Sequence, residues 1–250
     1  MNSFTAVLKN EIEKIYRRKK ATVIVILAII GTIVGQLIVS SIQNGFGIRP
    51  VNGIDFSILV LSFFVNTIMP LFAAMVIIDC FSGEFSKNTM KIVLLRPVSR
   101  IKIFAAKILA TGTFIIINLL VVMIISLMIG LMLKPAEHIV SGIIMVFISY
   151  IVSFFPLFVL TIIVAFMANA FKSGTIVFFL SIVIFIIFKA VALFFPQYST
   201  LFITSLLEWY NLWKAGTLPV LKLFREFLIM ASYGIIFFIA GYYLFDKKEI

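Results

Sequence analysis

The residues best suited to catalysis are few, and their spacing does not favour an enzyme. His138 is the single histidine, and Ser141 follows three residues later, which would put both on one face of a helix. No G-x-S-x-G turn accompanies them, so a catalytic Ser–His pair is disfavoured. Cys80 follows Asp79, and we interpret it as a packed thiol rather than a nucleophile. We therefore expect no catalytic, cofactor-binding or metal-binding residue in this chain.

Nucleotide binding is not expected either. Neither a G-x-x-x-x-G-K-[ST] phosphate loop nor a G-x-G-x-x-G turn occurs in the sequence. Polar residues do occur inside apolar runs, and Asn66 and Asn118 are typical of amides that bond across helix interfaces. Lys189 also lies in an apolar run. A lysine that extends to the membrane surface is favoured there, with an anion site or a pair with an acid as alternatives.

Such residues must be positioned by membrane-spanning elements, because the composition excludes a soluble domain. Of 250 residues, 63% are hydrophobic and 12% are charged, against about 45–50% and about 25% in soluble domains. The net charge of +11 comes from basic residues that bracket apolar runs. This pattern indicates a membrane surface as the partner, not nucleic acid.

The apolar runs predict an all-α membrane protein with six spans in one domain, residues 1–250. About 20 residues are needed to cross about 30 Å of hydrocarbon as a helix. Pro156 would kink the fourth run, and seven spans result if that run divides into two half-helices. The predicted spans are 21–42, 56–78, 108–133, 139–171, 175–195 and 227–245.

The lysines and arginines predict the orientation of these spans. With the N-terminus inside, the inner segments hold fifteen of the 21 basic residues and the outer loops hold five. Because positive residues favour the cytoplasmic side, both termini are predicted to be cytoplasmic.

Two segments outside the spans have their own character. Residues 1–20 contain an amphipathic pattern from Ser3 to Arg18, which is typical of a helix lying in the inner interface. Residues 197–225 contain Trp209, Tyr210 and Trp213, which favour a surface-lying or re-entrant segment at the outer headgroups.

The longest polar stretch, residues 79–107, carries the most specific pattern. Ser82 and Glu84 suit the start of a helix, Pro97 ends it, and Ser99 suits the cap of the next helix. Between them lies an apolar stripe at helical spacing. The stripe consists of Phe85, Met90, Val93 and Leu94.

This stretch resembles the loop between spans two and three of type-2 ABC transporter permeases. The family pattern is an acid, then S-G-E, Thr-x-Lys, two apolar residues and P-[VI]-S-R, followed by a lysine. Lys87-Asn88 departs from the glycine that many relatives carry before the threonine. The matching residues are Asp79, Ser82-Gly83-Glu84, Thr89-Met90-Lys91, Leu94-Leu95, Pro97-Val98-Ser99-Arg100 and Lys107.

The resemblance implies a transport subunit whose energy comes from a partner. In that family the loop is a coupling helix that docks on a separate cytoplasmic ABC ATPase, which binds ATP and magnesium. The implied assembly has two ATPase copies and a second permease chain, identical or paralogous, in a bacterial cytoplasmic membrane. The docking residues would be Glu84, Phe85, Thr89, Met90, Lys91, Leu94, Leu95, Arg96, Pro97, Ser99 and Arg100.

Contacts with the second permease and with the substrate are also expected. Gly31 and Gly35 form a G-x-x-x-G pattern that permits close approach of another permease helix. The many phenylalanines favour export of a small amphipathic peptide or a hydrophobic drug. A membrane immunity or sensor subunit and an ATP-independent secondary transporter remain alternatives. The expected substrate path contains Phe63, Asn66, Asn118, Phe154, Phe155 and Lys189.

Overall fold

The computed structural model describes residues 3–17, 20–46, 52–86, 98–133, 139–171, 173–214 and 218–248. All regular secondary structure in these ranges is helical. The α-helices are α1 (Ser3–Tyr16), α2 (Lys20–Phe46), α3 (Gly53–Phe63), α4 (Met69–Cys80), α5 (Ser82–Ser86), α6 (Arg100–Leu133), α7 (Ile139–Ala170), α8 (Gly174–Phe194), α9 (Ile203–Leu206) and α10 (Val220–Asp246).

Five helices in the described ranges are long and apolar enough to cross a membrane. A π-helical turn, Phe64–Ile68, joins α3 to α4, so that Gly53–Ser86 forms the first of the five. The others are Arg100–Met132, Ile139–Ala170, Gly174–Phe194 and Val220–Asp246. The apolar part of α2 that the structure describes, Thr22–Leu37, is shorter. A sixth span at this helix stays a prediction.

Several helices extend beyond the apolar runs that predicted them, whereas α7 and α8 match their runs within one residue at each end. Helix α6 begins at Arg100 rather than near residue 108, and its 34 residues give a length of about 51 Å. Because the hydrocarbon layer is about 30 Å thick, the first turns of α6 can project from it. An apolar run therefore marks the hydrocarbon layer rather than the ends of the helix.

Helix α7 lies at the centre of the bundle and is continuous. It runs through Pro156 without a break, so the fourth apolar run is one helix and not two half-helices. The hydroxyl of Tyr150 donates to the Ser57 carbonyl at 3.1 Å and lies 3.0 Å from the Ser126 hydroxyl. Tyr150 thereby ties α7 to α3 and α6, whereas α8 has almost no buried residue.

At one end of the bundle, α3 and α6 approach at two glycines. A Cβ atom added to Gly53 would lie 2.5 Å from the Gly130 carbonyl oxygen, and one added to Gly130 would lie 2.6 Å from that of Gly53. Glycine is needed at both positions because any side chain would separate the backbones. We call this end the far end. The opposite end carries α1 and the last turn of α10, and we call it the terminal end.

The segment between α8 and α10 packs against the bundle. It contains two 3-10 turns, Pro196–Leu201 and Trp209–Lys214, on either side of α9. The ring of Trp209 stacks on Phe227 and meets Phe155 edge to face. Trp209 is thus buried against protein, although the sequence suggested a place among headgroups.

Candidate functional site

The most unusual feature of the terminal end is a buried lysine with two carboxylate partners. The Nζ atom of Lys107 donates to Glu11 Oε2 at 3.0 Å and to Glu84 Oε2 at 2.8 Å. The side chain of Lys107 is 0% exposed and that of Glu11 is 1% exposed. Three separate helices, α1, α5 and α6, each contribute one of these charges.

Lys14 completes the group, which we call the buried charge cluster: Glu11, Lys14, Glu84 and Lys107. Its Nζ atom bonds Glu84 Oε1 while its side chain stays partly exposed. The two lysines and two carboxylates balance in charge. Removing isolated charges from water is very costly, so burial at this position depends on the pairing.

Helical spacing explains how the chain brings these residues together. Val7, Glu11 and Ile15 recur every four residues along α1, and all three are buried. This face packs against α6, where Lys107 lies two turns after Arg100. Burial also raises the pKa of Tyr16, whose hydroxyl has no hydrogen-bond partner among the described residues.

Glu84 lies in the segment that the sequence singled out for docking, but its side chain points into the protein. It is 1% exposed, and the neighbouring Ser82 donates its hydroxyl to the Ala168 carbonyl at 3.0 Å. Glu84 therefore holds the start of this segment against α1, α6 and α7. It does not offer a free docking surface in this state.

The remaining described docking residues connect the same segment to the end of α10. Phe85 contacts the ring of Phe245, and Lys248 Nζ lies 4.1 Å above the ring of Phe85. Burial lowers the pKa of Lys248. Arg100 bonds the backbone carbonyl of Asp246. Ser99 is exposed, and its carbonyl accepts from the backbone of Lys102 at 3.0 Å as α6 begins.

The other seven predicted docking residues lie outside the described residues. They are Thr89, Met90, Lys91, Leu94, Leu95, Arg96 and Pro97. Their role stays a prediction.

Sequence reasoning missed the partners of Glu84 and Lys107. Glu11 could have been found, because it is an acid inside the apolar stripe of α1 and Lys107 is a base next to an apolar run. The pairing itself could not be found, because the two residues are 96 positions apart.

A second polar group joins the π-helical turn, α8 and the segment between α8 and α10, and we call it the half-exposed cluster: Asn66, Lys189 and Glu208. Lys189 Nζ donates to Asn66 Oδ1 at 2.6 Å and lies 3.6 Å from Glu208 Oε1. Asn66 belongs to the π-helical turn, a local geometry frequent at functional sites. The ion pair with Glu208 agrees with the alternative prediction that Lys189 pairs with an acid. Lys189 also bonds the amide of Asn66.

The other expected path and dimer residues are dispersed. Asn118 is buried and donates to the Phe114 carbonyl of its own helix at 2.7 Å. Phe154 stacks on Phe158, Phe155 meets Trp209 and Phe227, and Phe63 is exposed beside Phe64. A Cβ atom added to Gly31 would lie 3.8 Å from the Phe64 ring of the same chain, whereas one added to Gly35 would meet no described atom within 4 Å. A role for the two glycines in a permease dimer stays a prediction.

The buried charge cluster joins two motif residues, Glu84 and Lys107, to the N-terminal helix. The model of the ABC-2 family transporter protein matches residues 7–192, which include all four cluster residues. The chain belongs to the ABC-2 transporter family. This confirms the resemblance to type-2 ABC permeases. The comparison with curated proteins finds no match.

ABC-2 proteins are membrane transport subunits that normally work with a separate ATPase subunit and dimerise. In this ABC-2 chain, the buried charge cluster joins α1, the start of the stretch 79–107 and the helix that follows that stretch.

Proposed function

We propose that this ABC-2 chain is the permease subunit of an ATP-driven exporter. A cytoplasmic ABC ATPase binds ATP and magnesium and docks on the segment 79–107. Two ATPase copies and a second permease chain complete the assembly. The observation that carries the proposal is the buried charge cluster, which ties the start of that segment to α1 and to a membrane span.

The cluster suits the transmission of force. When ATP binding closes an ATPase dimer, a docked segment moves as a rigid body. A flexible attachment would absorb this motion, whereas a segment pinned by Glu84, Ser82 and Phe85 passes it to α6, α7 and α10. The contact between Arg100 and Asp246 strengthens the same joint.

The proposal includes the orientation in the membrane. Helix α2 serves as the first of six spans, with its basic flank at the terminal end. Both termini and the docking segment then lie in the cytoplasm of a bacterial cell, in agreement with the distribution of basic residues. The amphipathic α1 lies along the inner interface and presses its buried face on α6.

The proposed cargo is a small amphipathic peptide or a hydrophobic drug. Aromatic side chains line much of the bundle, and pairs such as Phe154–Phe158 and Phe166–Phe237 offer large apolar contact areas. Such a passenger partitions into the inner interface and can enter between spans without crossing water.

The test is to separate ATP hydrolysis from transport at the docking segment. The chain is coexpressed with a cytoplasmic ABC ATPase from its own genome and reconstituted in vesicles. Replacing Leu94→Asp and Leu95→Asp together should release the ATPase on purification, or abolish transport while hydrolysis continues. Lys9→Asp is the control, because Lys9 is exposed on α1 at the same end.

Normal copurification and transport by the Leu94→Asp, Leu95→Asp double variant would reject the docking assignment. Transport by the permease in ATP-free vesicles, driven by an ion gradient, would instead support a secondary transporter.

A further inference from the structure

A cavity of about 410 Å³ lies between the helices beside the half-exposed cluster. Its walls come from the span Gly53–Ser86 and from α7, α8, α9 and α10, and they are almost entirely apolar. Leu71 and Ile186 line the cavity and are also exposed on the outside of the bundle. The cavity can therefore be reached from the lipid side.

One part of the cavity wall is polar. Asn66 and Thr67 of the π-helical turn lie there, and Asn66 holds Lys189 Nζ at 2.6 Å. Thr204, also in the wall, is 1% exposed, and its hydroxyl has no hydrogen-bond partner among the described residues. An apolar pocket with a few polar groups is the usual form of a small-molecule site.

The ammonium group of Lys189 has capacity for another acceptor. It carries three N–H donors, of which Asn66 takes one, and Glu208 at 3.6 Å is beyond a normal hydrogen bond. The side chain is 33% exposed, so a ligand group can approach it.

The volume limits what can enter. It lies near the lower end of the 300–1,000 Å³ range of ligand pockets. A single alkyl chain or a drug-sized apolar body matches a cavity of this size.

We propose that this cavity binds a single-chain amphiphile, with its apolar chain among the helices and a hydrogen-bond-accepting, anionic head at Lys189. The site lies within one chain and does not require a second permease. Its role as an entry site for cargo rests on the proposed export function, but binding itself does not. The experiment therefore measures binding to the permease alone, without ATPase.

The probe is a long-chain carboxylic acid with a diazirine near the end of its alkyl chain. The full chain is reconstituted in phosphatidylcholine nanodiscs, irradiated with the probe, and digested for mass spectrometry. Labels are expected in cavity-wall peptides, around Leu160–Met167 of α7 and Phe185 of α8. Unlabelled acid should compete about tenfold better than an alkylamine of equal length, a ratio that corresponds to about 1.4 kcal/mol.

Variants separate the two parts of the site. Ala74 is buried in the cavity wall, so Ala74→Phe fills the cavity. Leu71 is exposed and can be replaced by a larger residue, so Leu71→Trp narrows the opening of the cavity. Both should abolish specific labelling. Lys189→Met should remove the preference for the acid but keep labelling of the wall. Lys102→Met, at an exposed lysine of the terminal end, is the matched control and should change neither.

Five results would overturn the proposal. Labelling spread evenly over lipid-facing residues such as Val183 and Ile187 would mean that no site exists. Equal competition by the acid and the amine would refute the role of Lys189. An unchanged preference for the acid in the Lys189→Met variant would refute it as well. Equal competition by phosphatidylglycerol would indicate an ordinary two-chain lipid, and stronger competition by an amphipathic helical peptide would indicate a peptide site. Loss of export with binding intact would refute the proposed function but not this site.

Discussion

Two lysines in apolar helices, Lys107 and Lys189, are buried to very different degrees. Lys107 is 0% exposed and bonds two carboxylates at 2.8 and 3.0 Å. Lys189 is 33% exposed, bonds one amide, and has its carboxylate at 3.6 Å. Lys107 thus depends on ionic partners from two other helices, whereas Lys189 needs only an amide and access to water.

The difference indicates two different uses of a charge in a membrane bundle. A largely buried, charge-balanced cluster is costly to open, because separating its members leaves unpaired charges in a medium of low dielectric constant. It suits a joint that must stay closed while the helices move together. A half-exposed lysine can exchange one partner for another at small cost, which suits a site that binds and releases a ligand.

Removal of the buried charge should give the largest effect on stability. Lys107→Met removes the lysine that pairs with both Glu11 and Glu84, so the charges of the cluster no longer balance. Breaking a buried pair in this way costs about 3–5 kcal/mol. We expect a large fall in the midpoint of thermal unfolding in detergent, measured by the fluorescence of Trp209 and Trp213.

A neutral double variant tests the physical reason. Lys107→Met with Glu11→Gln restores the charge balance and should recover much of the lost stability, whereas Lys102→Met on the exposed face of α6 should have little effect. If the double variant is no more stable than Lys107→Met, packing rather than charge explains the loss.

Two glutamates on α1 offer a matched pair for the second prediction. Glu11 is buried against Lys107, while Glu13 is half exposed and pairs with Arg17 at 3.8 Å. Glu11→Gln loses a charged hydrogen-bond partner and should cost about 1–3 kcal/mol. Glu13→Gln should cost about 0.5 kcal/mol or less, as is usual for exposed helix pairs.

Hydrogen exchange on α1 distinguishes these two variants. Glu11→Gln should speed exchange of the amides in Ser3–Tyr16, because the helix loses its attachment to α6. Equal exchange in both variants would mean that apolar packing by residues such as Val7 and Ile15 holds α1 without the charges, and that the buried charge cluster is not a joint.

The sequence predicted the class of fold and the location of the motif but not the partners within it. The length of the apolar runs predicted the five helices that are long enough to cross a membrane, because the thickness of the hydrocarbon layer sets the length that a span needs. The pattern around Ser82-Gly83-Glu84 indicated the family, which the match over residues 7–192 confirms. These features depend on neighbours in the chain, so a single sequence contains them.

The partners depend on tertiary packing, which periodicity does not describe. Periodicity places Glu11 on one face of α1, but only the packing of α1 on α6 brings it to Lys107. Asn66 and Lys189 were both expected on the substrate path, and the structure brings them together across 123 positions. For Phe154 and Asn118, which were expected there too, the structure gives contacts to Phe158 and Phe114 of their own helices, and their place on a substrate path stays a prediction.

The half-exposed lysine should contribute much less to stability than the buried one. Lys189→Met removes a hydrogen bond to Asn66. It also removes the ion pair with Glu208, but that carboxylate is already in contact with water. A net hydrogen bond is worth about 0.5–1.5 kcal/mol, so a loss near 1 kcal/mol is expected. Thermal unfolding of Lys189→Met and Lys107→Met in one detergent compares the two directly. Similar losses would contradict the proposed difference between a rigid joint and a binding site.

The smallest effect is expected at Glu208, and it decides which partner holds Lys189. The carboxylate is 51% exposed and its distance of 3.6 Å exceeds a normal hydrogen bond. Glu208→Gln should therefore change the free energy of unfolding by about 0.5 kcal/mol or less.

A double-mutant cycle compares the two partners of Lys189. Asn66→Leu removes the acceptor at 2.6 Å, so the coupling energy between Asn66→Leu and Lys189→Met should exceed the coupling energy between Glu208→Gln and Lys189→Met. The cycle is measured by thermal unfolding of the four proteins that each pair requires. A larger coupling energy for Glu208 would mean that the Glu208 carboxylate, in the segment between α8 and α10, holds the lysine. The half-exposed cluster would then be a second ionic joint instead of a ligand site.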